Sequence, residues 1–177
     1  MRTYKRVKIE GGCYFFTLTL ANRQGNDLLI RHVEKLREAF RLTQRDHPFK
    51  MDAVVIMPDH LHCLWQLPLD DDDFSTRWYL IKSRFSRSIK PGEFISKSRL
   101  GKGERGLWQR RYWEHLIRDE SDYYRHADYI HYNPVKHGYV QAVKDWQYSS
   151  FHRWVARGLY PLDWTTAAPE VIDANWE

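Results

Sequence analysis

Hydrophobic residues along the chain follow two spacings, one typical of strands and one typical of helices. Residues 13–20 follow two glycines and are rich in aromatic, β-branched and aliphatic side chains, which indicates a buried strand. Residues 28–46 instead repeat apolar side chains at intervals near 3.6, which predicts an amphipathic helix that ends at His47-Pro48. The first two predicted elements are thus a strand and a helix.

The remaining elements are predicted in the same way. Strands are expected at 52–57, 61–67 and 112–117, and helices at 74–90, 119–132 and 149–156. Pro58-Asp59 suits a short turn between the first two of these strands. Pro134 is expected to end or redirect the second of these helices near Asn133. Residues 91–106 contain four glycines and several basic residues, as expected for a mobile surface loop.

The order strand, helix, strand, strand, helix, strand, helix predicts the fold class. It is the order of a ferredoxin-like α+β sandwich, in which an antiparallel sheet carries helices on one face. We expect one such domain over residues 1–160, ending in helical structure, and an irregular C-terminal tail over 161–177. A fold of this class does not by itself specify a function.

Composition limits the class of protein further. The 177 residues are 42% hydrophobic and 15% aromatic, which is enough for one folded core and argues against disorder. The longest apolar stretch, around 13–20, is too short to cross a membrane, and the basic first residues are not followed by the apolar segment of a secretory signal. Cys13 and Cys63 make no disulfide framework. These features predict a cytoplasmic protein with reduced cysteines and no membrane contact.

Basic residues are concentrated rather than evenly spread. The net charge is +5, and residues 82–118 alone contain eleven basic and three acidic side chains interleaved with aromatic rings. Cations for phosphates and rings for unpaired bases are typical of a nucleic-acid surface, although such a stretch is also typical of a solvated face. The candidate DNA-binding residues are Lys82, Arg84, Arg87, Lys97, Arg99, Lys102, Arg105, Arg110 and Arg111.

His60 and His62 are the first candidates for chemistry. Side chains two apart on a strand share a face, so both imidazoles could reach one metal ion while Leu61 turns to the core. One such pair is close to what nine histidines in this chain produce by chance. A pair of exposed or hydrogen-bonded strand histidines is therefore the alternative.

A second group lies on the helix predicted over 119–132 and just beyond it. His126, Tyr129 and Asn133 fall at i, i+3 and i+7, which is one stripe of a helix. An Asn carbonyl there could complete a metal site beside a phenol. The alternative is an ordinary half-buried tyrosine and an asparagine that merely precedes a turn proline.

Together these weak signals describe one reaction. A phenol with an ordinary pKa attacks poorly unless a bound cation makes the phosphate more electrophilic. Attack by Tyr129 on a DNA phosphodiester would leave a phosphotyrosine and a 3′-hydroxyl. The energy of the broken phosphodiester bond is kept in the phosphotyrosine, so the step needs no nucleotide cofactor. This is consistent with the absence of a P-loop motif.

Three segments resemble a known family. Residues 54–65 (VVIMPDHLHCLW) resemble the HUH segment of single-tyrosine transposases, in which U is a bulky apolar residue. Residues 108–115 (WQRRYWEH) and 128–138 (DYIHYNPVKHG) are similar to blocks of the REP-associated tyrosine transposases. The resemblance extends from Gly11-Gly12 to Pro161, and three ordered motifs are far more specific than one.

The resemblance implies a fold and roles for the candidate residues. It implies a ferredoxin-like HUH domain in which His60 and His62 are metal ligands, Tyr129 is the nucleophile and Asn133 stands where relatives have an amide-type third ligand. His126 is a candidate assisting residue. The implied metal is Mg²⁺ or Mn²⁺, and the long, basic segment 90–106 departs from the group.

The resemblance also implies a substrate and a setting. Such proteins bind the hairpins of repetitive extragenic palindromes and cleave or join single-stranded DNA through a 5′-phosphotyrosine. We therefore expect a monomeric, nucleoid-associated bacterial protein of the cytoplasm. Two alternatives stay open from the residues: a hairpin-binding protein that does not cleave, and a small metallohydrolase that uses His60 and His62 on other substrates.

Overall fold

The structure, a computed structural model, describes residues 6–166. Four strands form one antiparallel sheet in the order β2-β3-β1-β4. The strands are β1 (Cys13–Thr19), β2 (Lys50–Ile56), β3 (His60–Gln66) and β4 (Trp113–Leu116). The helices are α1 (Leu28–Arg31), α2 (Val33–Asp46), α3 (Phe74–Ser88), α4 (Lys97–Leu100), α5 (Glu120–Lys136) and α6 (Phe151–Ala156), with a 3-10 helix at Val143–Asp145. None of the helices within 6–166 is long and apolar enough to cross a membrane.

One face of the sheet packs against α2 and α3. Alternate side chains of β1 and β3, such as Phe16 and Trp65, point to this face and form one core with Phe40 of α2 and Trp78 of α3. The rings of Trp65 and Trp78 stack with their centroids 4.2 Å apart. This arrangement confirms the predicted α+β class, with a four-stranded antiparallel sheet and two helices on one side.

The other face of the sheet is covered by α5 and α6. Phe15 of β1 and Leu64 of β3 point to this side and pack with Ile130 of α5 and Phe151 of α6 in a second core. Strand β3 is consequently buried on both faces along almost its whole length. His60 and His62 lie on the face of β3 that α5 and α6 cover, so the position of α5 decides what surrounds them.

Most predicted elements lie within two residues of their bounds in the structure. The helix predicted over 28–46 is interrupted at His32, and Leu29 of the short α1 donates its backbone N–H to Pro58 O in the β2–β3 turn. The short α4 and the 3-10 helix were not predicted. Residues 161–166 are irregular as expected, and the rest of the predicted tail lies outside the described residues.

Pro134 was expected to end or redirect α5 near Asn133, and the prediction of an end there is wrong. The helix continues through Pro134 to Lys136, and His137 N still donates to Asn133 O. Proline removes one helical hydrogen bond, but the buried side chains of Ile130, Asn133 and Pro134 hold this turn against the sheet. Gly138, with φ +72°, then ends the helix as expected of a left-handed glycine.

The segment from 91 to 106 is anchored to α3 through Arg105. Its guanidinium donates to Ser86 O, Ile89 O and Lys90 O at the carboxyl end of α3 and pairs with Glu93. Ser86 is in the last turn of α3, where carbonyls generally lack helical partners, and Ile89 and Lys90 follow directly, so Arg105 caps this helix end.

Replacing Arg105 with alanine should loosen this segment selectively. Loss of its hydrogen bonds should lower the local free energy of opening by about 1–3 kcal/mol. Amide hydrogen exchange across 91–106 should therefore accelerate about 5- to 150-fold, while the sheet amides keep their rates. Arg87→Ala, at an exposed arginine of α3, is the matched control. Equal exchange in the two variants would contradict the anchoring.

The same contact should be sensitive to strong acid only. Hydrogen bonding to Arg105 lowers the pKa of Glu93 from 4.5 to about 2. Because the folded-state pKa lies below the unfolded one, the ion pair stabilises fully above about pH 4.5 and loses its effect as the pH falls towards 2. Hydrogen exchange of the segment measured between pH 5 and pH 2.5 checks this direction.

Candidate functional site

His60 and His62 lie side by side on β3, on the face covered by α5. Their ring centroids are 5.0 Å apart with an angle of 76° between the rings, and each residue is 1% exposed. Leu61 between them packs into the core with α2 and α3, as the strand alternation predicts. The alternative of two exposed histidines is therefore wrong, whereas hydrogen bonding does occur at both rings.

The ring of His60 is oriented by a carboxylate. Its Nδ1 lies 2.7 Å from Asp59 Oδ1, and Arg23 Nε donates to Asp59 Oδ2 at 2.6 Å. Because an ionised carboxylate only accepts, Nδ1 carries a proton, and in the neutral ring the lone pair is then on Nε2. His60 Nε2 is buried and has no hydrogen-bond partner within residues 6–166. A lone pair in this situation fits a metal ligand.

His62 is oriented by the neighbouring strand. Thr17 stands opposite it on β1, and Thr17 Oγ1 and His62 Nδ1 are hydrogen-bonded at 2.8 Å. Burial, with smaller effects from His60 and Lys136, holds the pKa of His62 well below its usual value. The neutral imidazole favoured in this way is the form that binds metal ions.

Helix α5 places Tyr129 directly against His62. The two ring centroids are 5.3 Å apart with the rings at 74°, and Phe15 of β1 contacts both of them. Asn133 and His137 follow Tyr129 at successive steps of four residues, and the His137 ring is 5.2 Å from His60. Asn133, which is fully buried, lies on the same stripe between these two contacts. The structure thus brings the four main predicted site residues to one part of the sheet.

Two residues near the site were missed by sequence reasoning. Lys136 donates from Nζ to the phenolic oxygen of Tyr129 at 3.2 Å, and its ammonium lies 4.9 Å from the centre of the Tyr129 ring. Burial lowers the pKa of Lys136, and burial with the nearby charges lowers that of His137 to about 4. Both residues lie at or just beyond a helix end that was placed too early. The spacing of seven residues from Tyr129 to Lys136 was the available signal.

His126 belongs to a different cluster. It stacks on His115 of β4 with ring centroids 4.6 Å apart, and Phe15 lies in contact with both His126 and His62. His115, Asp122 and His126 have ligand atoms within 4.8 Å of one another and could hold a metal ion.

The carboxylate of this cluster already has other partners. Arg118 and Arg125 both pair with Asp122, and His115 Nε2 lies 2.8 Å from it. This network holds the first turn of α5 against β4. An assisting role of His126 at Tyr129 stays a prediction.

Only some of the nine candidate DNA-binding residues point to solvent. Arg84 pairs with Asp46 of α2 at 2.6 Å, and Arg105 is used at the end of α3. Lys82 Nζ donates to Gln109 O at 2.8 Å, and burial lowers the pKa of this lysine to about 8. The exposed members are Arg87, Lys97, Lys102, Arg110 and Arg111.

A basic cavity of about 410 Å³ lies beside the end of β1. It is lined by Arg99, Arg110, Arg111 and neighbouring small or polar residues such as Ala21. Gln109 N donates to Thr19 O, and Thr19 is paired with His60 across β1 and β3. The cavity therefore opens near the end of the sheet that holds His60.

Comparison with known proteins agrees with this arrangement. The family model described as "Transposase IS200 like" matches residues 16–133. A relative from Escherichia coli (strain K12), a REP-associated tyrosine transposase, is 48% identical over 164 residues, which are 93% of this chain and 91% of the relative. This chain belongs to the REP-associated tyrosine transposases of the IS200-like family. The family was correctly identified from the three motifs.

A solved structure of this family has the same fold. It is described as a REP-associated tyrosine transposase bound to a REP hairpin, and it is 46% identical to this chain with a TM-score of 0.82. The match covers 97% of this chain and 99% of the other. In this chain, the family model matches a segment that includes His60, His62, Tyr129 and Asn133 and that ends before Lys136.

Replacing Asp59 with asparagine should weaken metal binding. The change removes the negative charge that orients His60, and loss of such a partner of a metal-binding histidine lowers metal affinity about 10- to 100-fold. Binding of Mn²⁺ followed by electron paramagnetic resonance measures the effect. Asp70→Asn, at an exposed carboxylate, removes the same charge elsewhere and should leave the affinity unchanged. Equal affinities in the two variants would refute this role of Asp59.

Proposed function

We propose that the protein is a metal-dependent endonuclease and strand transferase of single-stranded DNA. It binds hairpin DNA of repetitive extragenic palindromes and cleaves through a covalent 5′-phosphotyrosine at Tyr129. The observation that supports this most is the placement of Tyr129 against His62, with Asn133 on the same stripe of α5. It acts in the bacterial cytoplasm at the nucleoid, as a monomer, and needs no nucleotide cofactor.

The donor set fits a divalent cation. His60 and His62 would hold it with Asn133, and the proposed ion is Mg²⁺ or Mn²⁺. When bound, the ion polarises the scissile phosphate and offsets its charge. Two neutral imidazoles and an amide oxygen add no negative charge, so the full cationic charge is kept for the phosphate.

The chain's own residues carry out the transfer. The phenolic oxygen of Tyr129 bonds to phosphorus and loses its proton, while the bond from phosphorus to the 3′-oxygen breaks. The 3′-oxygen keeps that electron pair and takes a proton from water. Rejoining is the reverse of these steps, so one residue serves both directions.

Binding of DNA relies on the exposed part of the basic segment. The exposed Arg110 and Arg111, with the half-buried Arg99, line a cavity near the proposed catalytic end of the sheet, where cations attract the phosphates of a strand. The related protein solved with a REP hairpin supports the choice of substrate.

Access to the site requires movement. Tyr129 is 2% exposed, and the exposed side chains of Lys136 and His137 lie over it and over His60. DNA binding must displace the His137 side chain or shift α5, together with Tyr129 and Lys136, before the phosphate reaches the phenol. The same burial favours one alternative, a protein that binds hairpins on this scaffold without cleaving them.

Replacing Tyr129 with phenylalanine should abolish a covalent protein–DNA adduct. The change removes only the nucleophilic oxygen, so hairpin affinity should stay within about twofold. Denaturing gels with labelled single-stranded hairpins, in Mg²⁺ and in Mn²⁺, measure the adduct. The controls are Tyr124→Phe, at an exposed tyrosine of α5, and His60→Ala or His62→Ala, which should reduce cleavage.

Two outcomes would decide against this function. An adduct of unchanged yield with Tyr129→Phe would exclude Tyr129 as the nucleophile. Hairpin binding without any adduct in the wild type, under either metal, would favour the non-cleaving alternative.

Replacing Arg111 with glutamate should weaken hairpin binding without moving the cut. Loss of one phosphate contact should reduce the slope of log affinity against log salt by about 0.7 to 0.9. Titrations at several salt concentrations measure this slope. Arg157→Glu, an identical charge change at an exposed residue after α6, is the control. Equal effects of the two changes would argue against the cavity as the contact site.

A further inference from the structure

Lys136 is a polar group in contact with the phenolic oxygen of Tyr129. Its Nζ is 3.2 Å from that oxygen and lies 4.9 Å from the centre of the ring. Seven residues are close to two helical turns, so the two side chains share one stripe of α5. They do so only because the helix continues through Pro134.

The direction of this hydrogen bond limits what Lys136 can do. An ammonium group has three protons and no lone pair, so Lys136 donates and the phenolic oxygen accepts. A charged Lys136 therefore cannot take the proton of the phenol. It can stabilise negative charge on the oxygen, because a hydrogen bond from a charged donor is stronger than a neutral one.

We propose that Lys136 is a catalytic residue of the DNA transesterification, which holds the phenolic oxygen of Tyr129 and stabilises its negative charge. This inference rests on the proposed function. In cleavage the phenol loses its proton to solvent as its oxygen bonds to phosphorus. The 3′-oxygen leaves with the P–O electron pair and is protonated by water. In rejoining the phenolate is the leaving group, and the same ammonium stabilises it.

The surroundings of Tyr129 make a nearby charge effective. The ring lies among Phe15, His62 and the second core, at 2% exposure, whereas the Lys136 side chain reaches it from the surface. The phenolic oxygen is largely shielded from water, so the charge of the ammonium is screened less at this oxygen than it would be in bulk water.

This role has a distinct kinetic consequence. Lys136 acts on a transition state that cleavage and rejoining share, so its loss slows both directions by the same factor. The ratio of cleaved to joined DNA at equilibrium stays unchanged. A lysine that instead gripped a DNA phosphate would change the affinity for the hairpin.

The test compares Lys136→Gln, Lys136→Arg and Lys144→Gln in the full chain with Mn²⁺. Lys144 is an exposed lysine of the 3-10 helix, so its variant loses the same charge at a different place. Single-turnover cleavage and rejoining of a labelled hairpin are measured at saturating protein, and hairpin dissociation constants are measured separately.

The expected result is selective. Lys136→Gln should slow both steps about 100-fold, the typical loss for one donor to a developing oxyanion, with hairpin affinity within about twofold. Lys136→Arg should react roughly tenfold faster than Lys136→Gln in both steps, because arginine keeps the positive charge but has a different shape. Lys144→Gln should match the wild type.

The contrary results are also distinct. Wild-type rates in Lys136→Gln, equal slow rates in the Gln and Arg variants, or a loss confined to hairpin affinity would each overturn the role of Lys136 while the Tyr129 adduct remains. An absence of adduct in the wild type would overturn the proposed function itself, and this inference with it.

Discussion

The packing of α5 against the second face of β3 is the contact on which the site depends. A strand buried on both faces normally presents apolar side chains to both, yet β3 presents His60 and His62 to one of them. Buried imidazoles are tolerated only when their polar atoms are satisfied. Asp59, in the β2–β3 turn, is hydrogen-bonded to Nδ1 of His60. Thr17, on the adjacent strand β1, is hydrogen-bonded to Nδ1 of His62. The orientation of both rings is thus a property of the sheet.

This arrangement separates the residues that anchor α5 from those of the proposed site. The first turn is held to β4 by Asp122, which pairs with His115 and with two arginines. The middle and last turns carry Tyr129 and Lys136, with Asn133 between them. A helix anchored at its start and crossing the sheet over β3 can hold a phenol in place while its last turn stays near solvent. Such rigidity is what positions a nucleophile, and the burial that comes with it limits access to substrate.

The number of basic residues in a segment does not tell which of them are exposed in the structure. Residues 82–118 do carry a large positive excess, but Arg84 and Arg105 use their guanidinium groups within the protein. Arginine suits such positions because its planar donors bind several carbonyls or a carboxylate at once. The part of the excess near His60 is the smaller set of Arg110, which pairs with Glu104, and Arg111. The location of each cation, rather than the summed charge, decides which of them stay exposed to solvent.

The sequence by itself determined the order of elements, the family, and the sharing of one face by His60 and His62. These follow from local rules, since strand and helix periods place side chains without reference to the rest of the chain. It did not determine where α5 ends, because the local penalty of Pro134 is outweighed by burial of the surrounding turn. Lys136 and His137 were missed for that reason. Only the tertiary structure decided that α5 crosses the face of β3 that holds the histidines, since the contact joins segments far apart in the chain and depends on both cores packing together.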